Sequence, residues 1–429
     1  MESDFWPHSL NPISFLGLAP KEIRRQCAVA LALIALGLPM AAAQAHPLTV
    51  LHAFEGGTDG SIPTSGVIRD SAGNLYGTTQ NGGGSGCGNY GCGVAYKIDS
   101  AGIETVLHSF TDGADGGSVW GLIRDGAGNL YGIAQAGGAG FGLVYKLNPA
   151  GKETVLYDFA GGADGAGPIG NLIRDSAGNL YGVTSGGGDI AACSGCGTVF
   201  KLDSTGTHTV LHTFTGGTGG SAPVSGLVMD GAGNLYGTTT QGGDLACGSR
   251  FGCGTVFKLD TAGGFTILYG FAGGAAGNDP FAPLILDAAG NLYGTTVTGG
   301  DLSLCSKMGC GTVFKVDSAG KETVLYTFEA NGVGRYPYGR LIRDAAGNIW
   351  GTANQGGKAV GGTVFKLDPS GNATVLHSFT YGPEGANPEA GLIRDAAGNF
   401  YGTAVDYGDP ACNHGFGCGT VFKIAAVAP

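Results

Sequence analysis

Ten cysteines lie in five close pairs, and their spacing suggests one definite chemistry. The pairs are Cys87/Cys92, Cys193/Cys196, Cys247/Cys253, Cys305/Cys310 and Cys412/Cys418. Two thiols in one segment cannot complete a tetrahedral metal site, and no pair of histidines follows them. Cys193 and Cys196 also match the redox C-x-x-C spacing, but the helical context of that motif is missing. The cysteines therefore predict five short disulfides, which are typical of exported chains. Because the closed loops are short, we expect each bridge to shape a loop more than it stabilises the fold.

Histidines and acidic residues give weak support to catalysis or metal binding. His52, His108, His212 and His377 stand at a repeat position that is tyrosine in three other copies, and this interchange favours packing. No motif of a serine hydrolase, a zinc protease or a phosphate-binding loop occurs. We predict no cofactor. A calcium site needs several oxygen ligands that converge on one point, and the scattered acids of this chain support one only weakly. Instead, we expect solvated loop tips at Asp59, Asp112, Asp115, Asp164, Asp279 and Glu384.

Aromatic and arginine residues that break the repeat pattern are the candidate ligand-binding residues. Aromatic rings beside arginine suit a sugar or peptide surface. The alternative is that loop aromatics simply pack over the mouth of the fold. The candidates are Trp120, Arg335, Tyr336, Tyr338 and Arg340.

A tandem repeat must position these residues. The string DSAGNLYG begins at Asp70, and close copies begin at Asp125, Asp175, Asp230, Asp287, Asp344 and Asp395. A period of this size is typical of propellers and solenoids. Each unit contains four short apolar segments, LIRD, NLYGTT, GTVFKLD and TVLHSF, which we designate strands A, B, C and D. Tight Asp- and Gly-containing turns join A to B and C to D, whereas the B–C and D–A loops are longer and variable. All five cysteine pairs lie in B–C loops.

The order of the segments predicts a closed ring. The last unit stops after strand C at Ile424, and the missing strand D lies at the other end of the repeat region, as Thr49–Phe54. Pairing of Thr49–Phe54 with Thr420–Ile424 would complete the last unit and remove the open edges. The predicted fold is an all-β, seven-bladed β-propeller of four-stranded antiparallel blades over residues 46–429. Strand A is expected to be innermost.

Residues repeated in every unit are interpreted as structural. The turn aspartates fit side-chain capping of the A–B turn. Arg69, Arg124, Arg174, Arg343 and Arg394 precede the turn and either pair with carboxylates or line the channel. We expect the tyrosines of strand B to pack between blades. Lys97 and its copies on strand C are expected at ion pairs or a solvated edge.

The N-terminal region is typical of a secretory signal peptide. Lys21, Arg24 and Arg25 precede an apolar run from Ala28 to Met40, and Ala43-Gln44-Ala45 matches an A-x-A cleavage pattern. We therefore expect cleavage after Ala45, with a membrane anchor as the alternative interpretation of residues 1–45. The mature protein would be periplasmic or extracellular and would have no membrane span.

Composition supports a folded β protein and excludes some partners. The chain has 86 glycines and only 13% charged residues, with 43% hydrophobic residues. Many glycines among β-forming residues indicate short strands joined by tight turns. The net charge of −11 argues against nucleic acid and anionic membranes.

The pattern GNLYGTTxxGGxxxCGTVFKLDxxGxxTVLHSF resembles the choice-of-anchor tandem repeat of the GloVer type, found in secreted or surface bacterial proteins. The resemblance covers Thr49 to Ile424. It implies an extracytoplasmic repeat protein and brings no activity that can be assigned residue by residue; no anchor is evident in this chain. The turn at Asp344–Thr352 is also similar, more weakly, to that of regulator-type sensor propellers.

Three functions follow as hypotheses. The first is a secreted binding or scaffolding module for an extracellular or cell-envelope glycan or peptide, acting as a monomer through the face of the B–C and D–A loops. The second is a propeller-fold lyase or hydrolase, which predicts perturbed acids converging with a His or Arg at the channel mouth. The third is a structural envelope protein.

Overall fold

The repeat units fold as seven four-stranded antiparallel sheets, so the predicted seven-bladed propeller is confirmed. The computed structural model describes residues 47–426 apart from 85–86, 88–90, 190–192, 194, 248, 250, 331 and 413–415. The predicted signal peptide (residues 1–45) and its cleavage site lie outside the described residues. So do His46 and His414.

Strands A and B form the inner half of each blade. Strand A comprises β2 (Ile68–Arg69), β6 (Gly117–Arg124), β10 (Ala166–Arg174), β14 (Val228–Met229), β18 (Ile285–Leu286), β22 (Ile342–Arg343) and β26 (Ile393–Arg394). Strand B comprises β3 (Leu75–Thr79), β7 (Leu130–Ala136), β11 (Leu180–Gly186), β15 (Leu235–Thr239), β19 (Leu292–Thr296), β23 (Ile349–Ala353) and β27 (Phe400–Ala404). Strands A of neighbouring blades approach one another, as β6 does to β10, and this places strand A at the central channel.

Strands C and D form the outer half. Strand C comprises β4 (Val94–Ile98), β8 (Leu143–Leu147), β12 (Thr198–Leu202), β16 (Thr255–Leu259), β20 (Thr312–Val316), β24 (Thr363–Leu367) and β28 (Thr420–Ile424). Strand D comprises β5 (Glu104–Ser109), β9 (Glu153–Asp158), β13 (His208–Thr213), β17 (Phe265–Gly270), β21 (Glu322–Thr327) and β25 (Ala373–Ser378), with β1 (Leu48–Ala53) in the last blade. Short 3-10 helices occupy Gly217–Gly219, Gly274–Ala276 and Cys305–Lys307. Blades 1 to 7 begin at β2, β6, β10, β14, β18, β22 and β26.

The ring closes through the N-terminal strand, as predicted. β1 pairs antiparallel with β28 from Leu48↔Ile424 to Ala53↔Thr420. Phe54, which follows β1, then packs against Tyr96 of blade 1 with ring centroids 5.1 Å apart. Equivalent ring pairs join each of the other neighbouring blades at 4.9 to 5.3 Å. The junction between blades 7 and 1 is therefore packed like the other six.

Aromatic side chains between the sheets form the core. The phenylalanines that end strand D and the central rings of strand C are fully buried. Glycine on strand B makes room for these rings. A Cβ on Gly182, for example, would lie 2.6 Å from Cζ of Phe200. The NLYGTT segment therefore needs glycine at this position because a ring of the same blade lies against its backbone.

Candidate functional site

The B–C and D–A loops meet at one end of the ring, which we call the variable face. Each D–A loop donates one backbone N–H to a B–C loop carbonyl of the preceding blade, as Ile62 does to Cys418 and Tyr336 to Cys310. The donor has a positive φ, which is +58° at Tyr336 and +65° at Asp279. Non-glycine residues in this conformation are often functional. Here the bond recurs in all seven blades, so it locks the loops together.

The five predicted disulfides are confirmed, with Cα–Cα distances of 5.2 to 6.1 Å. In each pair the second cysteine supplies the carbonyl that receives the N–H of the next blade. In the two blades without cysteines, Phe141 and Gly361 supply it instead. The disulfides therefore fix the carbonyl groups that accept the hydrogen bonds from the D–A loops. Five disulfides are typical of proteins in oxidising compartments. The bonded pairs are Cys87–Cys92, Cys193–Cys196, Cys247–Cys253, Cys305–Cys310 and Cys412–Cys418.

The expectation that each bridge acts on its loop more than on the fold needs correction, because the second cysteine of every pair is a core residue rather than a surface loop residue. The exposed fractions are 1% for Cys92 and Cys253, 5% for Cys196, and 0% for Cys310 and Cys418. Cys92 packs with Val119 and Leu143 of blade 2, and Cys253 packs with Leu284 and other buried side chains of blade 5. The physical reason is that the second cysteine lies just before strand C, where the loop enters the space between two blades. Each bridge therefore ties its loop to the packing between neighbouring blades.

Four of the five predicted ligand-binding residues lie on the D–A loop of blade 6, and two of them, Arg335 and Tyr336, contact each other. The Arg335 Nε donates to Gln355 Oε1 at 3.1 Å, and its guanidinium lies 5.5 Å from the centre of the Tyr336 ring. The Tyr338 ring makes an edge contact with Phe281 of blade 5 at 5.5 Å. Arg340 follows two residues later and lines the channel.

Trp120, the fifth predicted residue, lies apart from these, on blade 2. Its indole packs against the buried side chains around Ile169, and its N–H is buried without a hydrogen-bond partner. This placement agrees with the alternative interpretation, in which a loop aromatic packs over the mouth of the fold instead of binding a ligand. Equivalent positions on the other blades carry Thr64, Ile169, Val224, Phe281, Tyr338 and Glu389.

The channel mouth is consequently apolar on one side and polar on the other. Glu389 lies beside Tyr338 and accepts a hydrogen bond from Asn354 Nδ2 at 3.3 Å. Burial, together with the charge of Asp406, raises the pKa of Glu389 to about 7. Burial raises the pKa of Asp279 to about 6. Glu389 was not among the sequence candidates, although its place after Pro388, matching Tyr338 after Pro337, was a signal that could have identified it.

Five of the six loop acids are not solvated tips, and that expectation is wrong for them. Asp279 is partly buried, and the other four have side-chain partners. Three contact the histidine seven residues earlier: His52–Asp59 at 3.3 Å, His108–Asp115 at 3.5 Å and His377–Glu384 at 3.2 Å. The fourth, Asp164, accepts a hydrogen bond from the Tyr157 hydroxyl at 3.0 Å. Burial opposes ionisation of Asp59, but hydrogen bonds from His52 and the Glu55 amide hold its pKa below the ordinary value. These pairs brace the D–A loops, and Asp112 remains exposed.

The turn aspartates at the opposite face cap the A–B turn, as expected, and the expected arginine–carboxylate pairing is seen at Arg343, 4.0 Å from Asp287. Asp70 accepts hydrogen bonds from the Asn74 amide at 2.9 Å and from the Tyr76 hydroxyl at 3.0 Å. Arg124 of the next blade lies over the same tyrosine ring at 5.7 Å. Lys146 stands over Tyr131 of its own blade at the same distance. The arginines and lysines thus cover the strand-B rings.

An open aromatic pocket of about 500 Å³ lies on the variable face between the D–A loop and the B–C loop of blade 7. Tyr381, Tyr407 and Phe416 line it, together with Asp409. The two tyrosine rings meet edge to face at 5.1 Å, and the Tyr381 hydroxyl donates to the Val360 carbonyl at 3.0 Å. Phe416 is 72% exposed. None of these residues was among the sequence candidates.

The aromatic pocket belongs to a wider pattern. One exposed apolar side chain projects from the same position of four successive B–C loops, where its carbonyl accepts a backbone hydrogen bond from the start of the loop. These residues are Phe251, Met308, Val360 and Phe416. Their position directly before the Gly-Cys or Gly-Gly step of the loop was a sequence signal.

A family model for the Gloeobacter/Verrucomicrobia repeat matches residues 40–251 and 245–428. The chain belongs to this family. The resemblance found in the GNLYGTT and GTVFKLD segments is therefore confirmed, and the two matches of the Gloeobacter/Verrucomicrobia repeat together span all seven blades. No curated protein matches the chain.

Solved structures similar to this member of the Gloeobacter/Verrucomicrobia repeat family share little sequence with it. A gluconolactonase from Xanthomonas campestris is 14% identical, with 70% of this chain and 83% of that chain covered and a TM-score of 0.40. PorZ, a surface component of the type-IX secretion system of Porphyromonas gingivalis, is 13% identical with a TM-score of 0.46. That match covers 87% of this chain and 48% of PorZ, so the chain spans about half of PorZ.

Two features relevant to function are not found in the described part of the chain. No three His, Cys, Asp or Glu side chains there are grouped so as to hold a metal ion. Among the same residues, no helix has the length and apolar character needed to cross a membrane.

Proposed function

We propose that this protein is an exported binding module whose variable face binds an oligosaccharide of the cell envelope or its surroundings. The aromatic pocket of Tyr381, Tyr407 and Phe416 is the observation that carries the proposal. Exposed aromatic side chains that cluster on one loop face of a rigid scaffold mark an interaction surface. Export through residues 1–45 is part of this proposal, and the five disulfides support it.

The chemistry of the pocket favours a sugar over a peptide. Tyrosine and phenylalanine rings offer flat apolar faces to the C–H groups of a pyranose, and Asp409 at the rim offers acceptors to its hydroxyls. A peptide bound by strand addition needs an unpaired sheet edge. The pocket is built from loops instead. Exposed apolar side chains on the B–C loops of four successive blades extend the apolar surface of the same face, which suits a chain of sugars rather than a single ring.

The experiment is a glycan array with the mature protein, followed by calorimetry on the best ligand with Phe416→Ala. Because Phe416 is exposed, its loss should leave folding intact and remove about 1–2 kcal/mol of contact energy, or roughly 5- to 30-fold in Kd. Ile103→Ala removes an exposed apolar side chain from the opposite face and is the matched control. Unchanged binding by Phe416→Ala would reject the pocket. Binding to no glycan would reject the function.

A second candidate function is hydrolysis or elimination at the channel mouth. The specific support is the pair of carboxyl groups with raised pKa values, Glu389 and Asp279, on either side of Tyr338. A carboxyl group with a pKa near 7 can supply a proton to a leaving group at neutral pH. Its test is product analysis of array ligands incubated with wild type and Glu389→Gln. Cleavage that Glu389→Gln abolishes, with binding retained, supports it, and intact ligands contradict it.

A further inference from the structure

A second cavity, of about 810 Å³, lies between the innermost strands of blades 5, 6 and 7. It is at the end of the channel that carries the A–B turns, away from the aromatic pocket, and it is independent of the function proposed above. Its walls are largely aliphatic, with Ile285, Ile342 and Ile393 at equivalent positions of the three blades. Cavities of this size and character accept small organic molecules.

Arg340 is the residue of this wall whose charge has no partner. In the part of the chain that the structure describes, no carboxylate lies within salt-bridge distance of its guanidinium, and the guanidinium makes no hydrogen bond. Arg340 is open to solvent from the channel, yet the surrounding walls displace enough water that burial lowers its pKa. A partly desolvated cation without a counter-charge is stabilised by any anion that reaches it.

Arg340 also departs from the repeat at this position. The six other blades have small or uncharged residues there: Gly66, Gly121, Asn171, Gly226, Pro283 and Gly391. A Cβ on Gly391 of blade 7 would lie 2.8 Å from Cβ of Arg340, so glycine there gives the arginine room. One guanidinium therefore stands in a channel that is otherwise lined by neutral residues at this level.

The two other arginines that line the cavity are already engaged. Arg343 lies 4.9 Å from the centre of the Tyr293 ring and 4.0 Å from Asp287. Arg394 lies 4.8 Å from the centre of the Trp350 ring. Asp287 and Asp344, the two carboxylates of the wall, accept hydrogen bonds from turn asparagines. Arg340 is thus the one cation of this wall, among the residues described, that is left to bind a ligand.

We propose that the channel binds a small organic monocarboxylate, with its carboxylate on Arg340 and its aliphatic or aromatic body between Ile285, Ile342 and Ile393. A guanidinium binds a carboxylate through two parallel hydrogen bonds, which fixes the orientation of the ligand. Burial of the apolar body against the isoleucines supplies the remaining affinity. Inorganic phosphate would satisfy Arg340 but leave the apolar wall uncovered.

The test is calorimetric titration of the mature protein with octanoate, 1-octanol, octylammonium and inorganic phosphate. We expect octanoate to bind at one site, and the other three to bind at least tenfold more weakly. Arg340→Gly introduces the glycine that four other blades have at the equivalent position, and it should weaken octanoate binding about 10- to 100-fold. Lys152→Gln removes an exposed cation from a C–D turn and should leave octanoate binding unchanged.

Each outcome decides one part of the proposal. Equal octanoate binding by wild type and Arg340→Gly, or no octanoate binding, overturns it. Phosphate or octylammonium binding as tightly as octanoate overturns the ligand class. Arg340→Lys keeps the charge without the planar fork and should bind octanoate with intermediate affinity. Unchanged melting temperatures of the variants separate a lost ligand contact from a lost fold, and glycan binding should persist in Arg340→Gly.

Discussion

Phe54→Ala tests whether the junction between blades 7 and 1 is as firm as those inside the repeat. Phe54 is fully buried and makes an edge contact with Tyr96 at 5.1 Å. Phe159 is equally buried and makes the equivalent contact with Phe200 at 5.3 Å, between blades 2 and 3. Phe159→Ala is therefore a matched control, because it removes the same side chain from the same environment within a continuous stretch of chain.

We expect both variants to lose the same large amount of unfolding free energy. Removing a buried phenylalanine costs about 3–5 kcal/mol, which includes the lost transfer energy and the cavity left behind. Urea unfolding followed by far-UV circular dichroism gives the free energy, and with a slope of about 3 kcal/mol per molar the midpoint should fall by roughly 1 M or more. If Phe54→Ala costs less than half of what Phe159→Ala costs, the ring is loosely closed and the reasoning fails.

Two further predictions concern the disulfides and Glu389. Replacing Cys305 and Cys310 together by serine should cost at least about 2 kcal/mol, which is the value for a loop this short before the loss of buried packing is added, with unfolding in urea as the measurement; an unchanged midpoint would contradict this. The raised pKa of Glu389 means that the folded state binds more protons than the unfolded state between the ordinary glutamate pKa and about 7, so this group lowers stability as pH rises through that range. Glu389→Gln should therefore be more stable than wild type at pH 8, by about 1–2 kcal/mol after solvent screening, and similar at pH 4. A constant difference across this pH range would show that Glu389 is not the titrating group.

The fold was predictable because two features that determine the overall architecture can be seen directly in the sequence. The recurring A–B turn gives the number of blades, and the displaced strand D at Thr49–Phe54 gives the closure. The disulfides followed from an equally simple rule, since each B–C loop holds either two cysteines or none. These inferences need no knowledge of how one blade meets the next.

The sites were less predictable because they depend on contacts between separate loops and between blades. The aromatic pocket joins Tyr381 of the D–A loop to Phe416 of the B–C loop of blade 7, and neither residue is unusual alone. Glu389 gains its raised pKa from burial beside Asp406, which lies on another loop. The burial of Cys92 against blade 2 is a contact of the same kind.

The loop acids were misread for a different reason. Their histidine or tyrosine partners lie a constant seven residues earlier, as His52 does before Asp59. That spacing is visible in the sequence, so these pairs could have been predicted without the structure.

Closure by β1 has a kinetic consequence. The first strand to emerge during synthesis is the last to find its partner, since Leu48 pairs with Ile424 across nearly the whole described chain. Contacts so distant in sequence slow folding, and until they form both ends present unpaired apolar edges. A nascent chain of this kind must be kept from aggregating until its last blade has been synthesised. Truncation of the last blade should therefore produce aggregation rather than a smaller folded ring.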